Sequence, residues 1–229
     1  MRRYVAVLLF FLASSACESQ GGKSTSFHGG LPQALLFVDQ TFHVSVLGEL
    51  VDPIPINVSV QVGPKSTAHV VLEEIVAQCP GYVVLPKAGV FIVAQKQVLR
   101  DSANPMNQIL KDYQVPGNLN LFKLSFPSAV AASEEGVSGI GGMINGFSAP
   151  GGVSVPLRVE RLRNLTAREI LTYVAKEVGN LYSVLVLPCV HPEKEKHEHA
   201  TFRAWEIVGG GAVAQYNSQL SGYRGGSIP

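Results

Sequence analysis

Thr67-Ala68-His69-Val70-Val71-Leu72-Glu73-Glu74-Ile75-Val76 and Thr166-Ala167-Arg168-Glu169-Ile170-Leu171-Thr172-Tyr173-Val174-Ala175 read as one helix written twice. Each stretch opens on Thr-Ala, carries Val or Ile and then Leu at its fifth and sixth places, and ends on two apolar residues. Thr is a good N-cap because its hydroxyl accepts from a free amide of the first turn. Val71, Leu72, Ile75 and Val76 then form a single apolar stripe, as expected of a helix lying on a sheet. Repetition of such a unit assigns these apolar residues to packing rather than to a pocket.

Outward from the first copy, Ile56, Val58, Val60 and Val62 alternate with polar residues and predict a strand. Gly63-Pro64-Lys65 turns the chain into the helix, and Pro80-Gly81 ends it. Tyr82–Leu85 and Val90–Ala94 predict two strands joined by a turn at Pro86-Lys87-Ala88-Gly89. Upstream, Leu31–Gln40 predicts a short helix with Pro in its first turn, and Phe42–Leu47 a strand. Outward from the second copy, Asn104-Pro105 begins a predicted helix through Tyr113, and Leu119–Phe126 alternates as a strand. Val153–Arg161 forms another strand, and Thr166 with Glu169 has the spacing of a capping box. Tyr182–Leu187 and Phe202–Val208 close the unit. The expected fold is α+β, with two copies of a helix-on-small-sheet unit in the order α-β-β-α-β-β, at 31–100 and 104–208. The second copy carries a Gly/Ser/Ala-rich insertion at 127–152, and 209–229 reads as a mobile tail.

This order resembles the short N-terminal domain shared by secretins and TonB-dependent signalling receptors. The matching residues are Gln33-Ala34-Leu35, Ile56–Val62, Thr67–Val76 and Gly89-Val90-Phe91-Ile92-Val93. The match covers most of the first unit, and the second less well because of its insertion. The resemblance implies a periplasmic α+β module that binds other proteins or assembles with copies of itself. These are packing motifs, so they speak to fold more than to function.

The N-terminus reads as an export signal over 1–16: Arg2 and Arg3, an apolar core at Tyr4–Ala13, then Ser14-Ser15-Ala16. That core is too short for a membrane span, which needs about 20 apolar residues. Cys17 follows the small residues as in the lipobox of bacterial lipoproteins, although Ser14 stands where that pattern has Leu. A lipid anchor at Cys17 and a soluble exported chain both stay open. Residues 17–30 read as a flexible tether in either case. Cys79 and Cys189 then form an even pair in an oxidising compartment, open to a disulfide or to two buried thiols. Hydrophobic residues make up 46% of the chain and charged residues 15%, enough for a sizeable core. The net charge of +1 comes without a basic stripe, which argues against nucleic-acid binding.

The most site-like stretch is Cys189-Val190-His191-Pro192-Glu193-Lys194-Glu195-Lys196-His197-Glu198-His199. If it forms a hairpin, Cys189, His191, His197 and His199 supply four soft or borderline ligands for zinc or copper. Against that, Glu193–Lys196 has the alternating charge of a solvated turn, and the spacing matches no zinc signature. No nucleophile elbow or other catalytic frame surrounds any Ser, His or acid, so the chain is expected to be non-enzymatic and without cofactor. The expected partner is an envelope protein or a second copy, engaged through exposed strand edges and the insertion. There, Ile140, Met143, Ile144 and Phe147 are hydrophobes without a periodic place in the core.

Overall fold

A computed structural model describes residues 24–102, 104–132, 143–144, 155–187 and 204–209. The first half runs β1 (Thr25–Gly29), α1 (Leu31–Phe42), β2 (Ser45–Val51), β3 (Val58–Val62), α2 (Ala68–Ala77), β4 (Tyr82–Lys87) and β5 (Val90–Gln95). Pro32 sits in the first turn of α1, where no helical donor is lost, and His43 ends that helix in the left-handed region at φ 53°. Thr67 caps α2 by accepting from the Val70 N–H, and Val71, Leu72, Ile75 and Val76 are buried. Ala88 and Gly89, at φ 53° and 86°, turn β4 into β5. Positive φ at both central residues is the two-residue hairpin geometry that matches strand twist.

The second half begins with a 3-10 turn at Pro105–Asn107, followed by β6 (Ile109–Val115), α3 (Leu119–Ala132) and β7 (Met143–Ile144). It continues through β8 (Glu160–Thr166), α4 (Ala167–Val178), β9 (Leu181–Leu187) and β10 (Ala204–Gly209). Thr166 and Glu169 form the capping box of α4, and Gly179 ends the helix at φ 81°.

Strands β1 and β3 make one antiparallel ribbon and β6 and β8 another, while the remaining strands form a six-stranded sheet in the order β4-β5-β2-β9-β10-β7. In the first half β5 runs antiparallel to β4 and parallel to β2. In the second, β10 runs antiparallel to β9 and parallel to β7. The halves meet where β2 and β9 pair in parallel from Val46↔Tyr182 to Val51↔Leu187.

The sheet is covered on both sides. Val46, Leu50, Tyr182 and Val184 pack with α1 and α2 in one apolar cluster, and Leu47, Val51, Leu185 and Leu187 pack with α3 and α4 in another. Strand β2 is therefore buried at every position, as in sheets with helices on both faces. A Cβ on Gly48 would lie 3.0 Å from both Leu35 Cδ1 and Val184 Cγ2, so glycine is what lets α1 approach the junction.

The α+β class expected from the sequence is the class observed. Several elements differ. The strand expected at Phe42–Leu47 begins only at Ser45, because α1 runs on to Phe42 and His43 is its cap rather than a strand residue. Thr25–Gly29, assigned to the tether, is a strand paired with β3. The helix expected from Asn104 to Tyr113 is a short 3-10 turn and then strand β6. The strand expected at Leu119–Phe126 is helix α3, which runs through Pro127 into the expected insertion. In place of the two small separate sheets expected, one six-stranded sheet takes strands from both halves, and each half adds a two-stranded ribbon.

Candidate interaction surface

Strand β2 supplies two polar groups to the second half, both on the face that α4 covers. Ser45, 1% exposed, donates its hydroxyl to the Ala175 carbonyl at 2.8 Å and accepts from the Leu181 N–H at 2.9 Å. It thereby serves the last turn of α4 and the start of β9 together. Glu49, 2% exposed, holds Arg168 by two bonds, Nε to Oε1 at 2.5 Å and Nη2 to Oε2 at 2.8 Å. Asn104 Nδ2 donates to Glu49 Oε2 at 2.8 Å, and Arg168 Nη1 donates to Asn107 Oδ1 at 2.6 Å. Every member has partners, the condition under which a buried charge pair is tolerable. The fork of Arg168 fixes the angle of α4 over β2 as well as its distance.

The outer margins of the sheet are β4 and β7, beyond which no strand lies among the described residues. Near β4, helix α2 exposes His69, whose Nε2 lies 3.3 Å from Glu73 Oε1 and whose ring stacks on Phe91. Leu85, Pro86 and Lys87 of β4 are exposed. A proline and a lysine on an edge strand discourage indiscriminate pairing. Of the insertion hydrophobes, Met143 and Ile144 form β7, facing Ala204 and Trp205 of β10 in a parallel ladder. Ile140 and Phe147 lie outside the described residues, as do Cys17, Cys189, His191, His197 and His199.

Cys79 is fully buried at the end of α2, and burial pushes its thiol pKa up. Asp39 on α1 is 4% exposed, its Oδ1 has no hydrogen-bond partner, and burial raises its carboxyl to about 7. Among the described residues no group of three or more His, Cys, Asp or Glu is placed to hold a metal. No described helix is long and apolar enough to cross a membrane.

The sequence reading missed the Glu49–Arg168–Asn104–Asn107 network. Its one visible signal is Glu49 itself, a lone acid in the otherwise apolar run Ser45-Val46-Leu47-Gly48-Glu49-Leu50-Val51. Such a residue in a central strand requires a cationic partner, which the sequence does not identify. No family model matches the chain, and neither a curated protein nor a solved structure matches it.

Proposed function

We propose that this chain is an exported, non-enzymatic interaction or assembly module of the bacterial cell envelope. On this reading it is a tandem duplicate of a unit similar to the short N-terminal domain of secretins and TonB-dependent receptors. The observation that carries the proposal is the agreement of the two ladders. Ser45 faces Val90 where β2 meets β5, and Met143 faces Ala204 where β7 meets β10. At the other end Tyr82 faces Gln95 and Leu181 faces Gly209. The same strand order, directions and starting registers in both halves support one ancestral unit used twice.

A unit that joins its neighbour by strand pairing is built for assembly, since backbone ladders supply affinity without a pocket. On this reading residues 1–16 act as an export signal, and the chain works outside the cytoplasm, either lipid-anchored at Cys17 or soluble in the periplasm. A pull-down from envelope extract with the purified chain tests the proposal. Stoichiometric recovery of an envelope protein or of the chain itself supports it, and recovery of neither counts against it. Mass spectrometry of the cellular N-terminus reads the location: a chain beginning at Cys17 supports export, and an intact Met1 refutes it.

A further inference from the structure

We infer that copies of this chain add to one another head to tail, the outer edge of β7 in one copy pairing with the outer edge of β4 in the next. This rests on the duplicated-unit reading above and names its partner, a second copy. In the matched ladders β2 corresponds to β7, β4 to β9 and β5 to β10. The junction inside the chain joins β2 to β9. The corresponding edges, those of β7 and β4, are the two margins of the sheet, and neither is paired with a further strand among the described residues. The molecule thus carries at its ends the strands that correspond to the pair it joins at its centre, β7 supplying only Met143 and Ile144 where β2 supplies seven residues.

The register specifies the contact. The Asp52 N–H donates to the Leu187 carbonyl, beside the facing pair Val51↔Leu187. Parallel ladders bond through alternate residues, so Val46, Gly48 and Leu50 bond across the junction to Leu181, Ser183, Leu185 and Leu187. Carried to the outer edges, Ile144 takes the place of Val46 and faces Val83 of the next copy. Its N–H points to the Tyr82 carbonyl, and its carbonyl receives the Val84 N–H.

The outer contact is weaker than the inner one for two identifiable reasons. Pro86 stands where β9 has Leu185, so one donor is missing from that edge. His69 stands where α4 has Arg168, and it is engaged by Glu73 on its own helix. The expected association is therefore concentration-dependent rather than permanent. It is also open-ended. The second half has its strands reversed and its helices on the opposite face, which amounts to a half-turn about the long axis of the sheet plus an advance. Two such steps superpose one chain on the next without closing a ring, giving a twisted ribbon that advances ~29 Å per chain at the usual strand spacing.

Sedimentation velocity of the full chain over a wide concentration range tests this, with Pro86→Val, Ile144→Pro and Val84→Pro variants whose folding is checked by thermal melting. The weight-average mass of the natural chain should rise steadily with concentration. Pro86→Val restores a ladder donor and should move that rise to roughly threefold to tenfold lower concentration. Ile144→Pro and Val84→Pro alter opposite sides of the contact at positions whose N–H faces outward, so either one alone should hold the chain monomeric. If one of them fails to fold, the other gives the same reading. A chain that stays monomeric even with Pro86→Val overturns the inference, as does association that survives both proline variants. A monomeric chain that captures a different envelope protein, and loses it with Ile144→Pro, overturns pairing between copies while leaving the assembly reading standing.

Discussion

Glu49 and Arg168 make the strongest single-residue demand in the molecule. Replacing Glu49 with Gln leaves a guanidinium largely buried beside a neutral amide, at a cost on the order of 3–5 kcal/mol. Urea unfolding should show that loss for Glu49→Gln and for Arg168→Met alike. Glu49→Leu combined with Arg168→Met should recover most of it, because no charge is then stranded; additive losses would contradict the coupling. Asp39 makes the opposite demand. Its carboxyl is raised to about 7 in the folded chain from an ordinary 3.8, so the folded state holds a proton that the unfolded chain has already released. Stability is therefore fullest below about pH 4 for this group and falls as pH rises through 7, by up to about 4 kcal/mol at roughly 1.4 kcal/mol per unit. Asp39→Asn should flatten the fall in melting temperature between pH 5 and 8, and an unchanged pH profile would dismiss Asp39 as its source. Of the two, only Glu49 leaves a mark in the sequence, as a lone acid in an apolar run that does not name its partner. Asp39 lies in a helix whose pattern tolerates an acid on its outer face, and only the packed neighbours reveal that this face is covered.

Helices α2 and α4 were legible because cap and stripe agree: Thr67 and Thr166 start them where the apolar spacing begins. The caps are not equal. Thr166 and Glu169 satisfy two amides reciprocally, whereas Thr67 accepts a single long bond of 3.4 Å from Val70. Thr166→Ala should accordingly cost about 1 kcal/mol or more and Thr67→Ala distinctly less, as read by chemical denaturation. The hairpin β4–β5 carries Ala88 at φ 53°, a conformation that costs a Cβ-bearing residue about 1 kcal/mol, so Ala88→Gly should stabilise. Helix α3 was illegible for a local reason. Leu119-Asn120-Leu121-Phe122-Lys123-Leu124-Ser125-Phe126 alternates over its first residues like a strand, while its buried members Leu119, Phe122, Phe126 and Val130 keep helical spacing. The stacked rings of Phe122 and Phe126, 4.7 Å between centroids, show which period packing uses. Strand β2 lacks alternation because both its faces are covered, so no one-sided pattern exists to read.

At the scale of the whole chain, the two apolar clusters lie on opposite faces of one sheet and share its central strands. Loss of either half uncovers a face of the other, so thermal unfolding should appear as one transition by both circular dichroism and tryptophan fluorescence. Two resolved transitions would mean that the halves are energetically separate. The sequence foretold two small sheets, because periodicity within each unit carries no information about which edges join. That joining depends on Gly48, Ser45 and Glu49 meeting residues far along the chain. Ser45 must wait for Leu181, 136 positions later, before its hydroxyl is engaged. During synthesis, β2 therefore emerges with one flank bare and stays so until β9 has followed. Closing so distant a ladder is slow, and the exposed flank is sticky meanwhile. The order of the strands thus makes the first half the part of the nascent chain most open to premature pairing until β9 arrives.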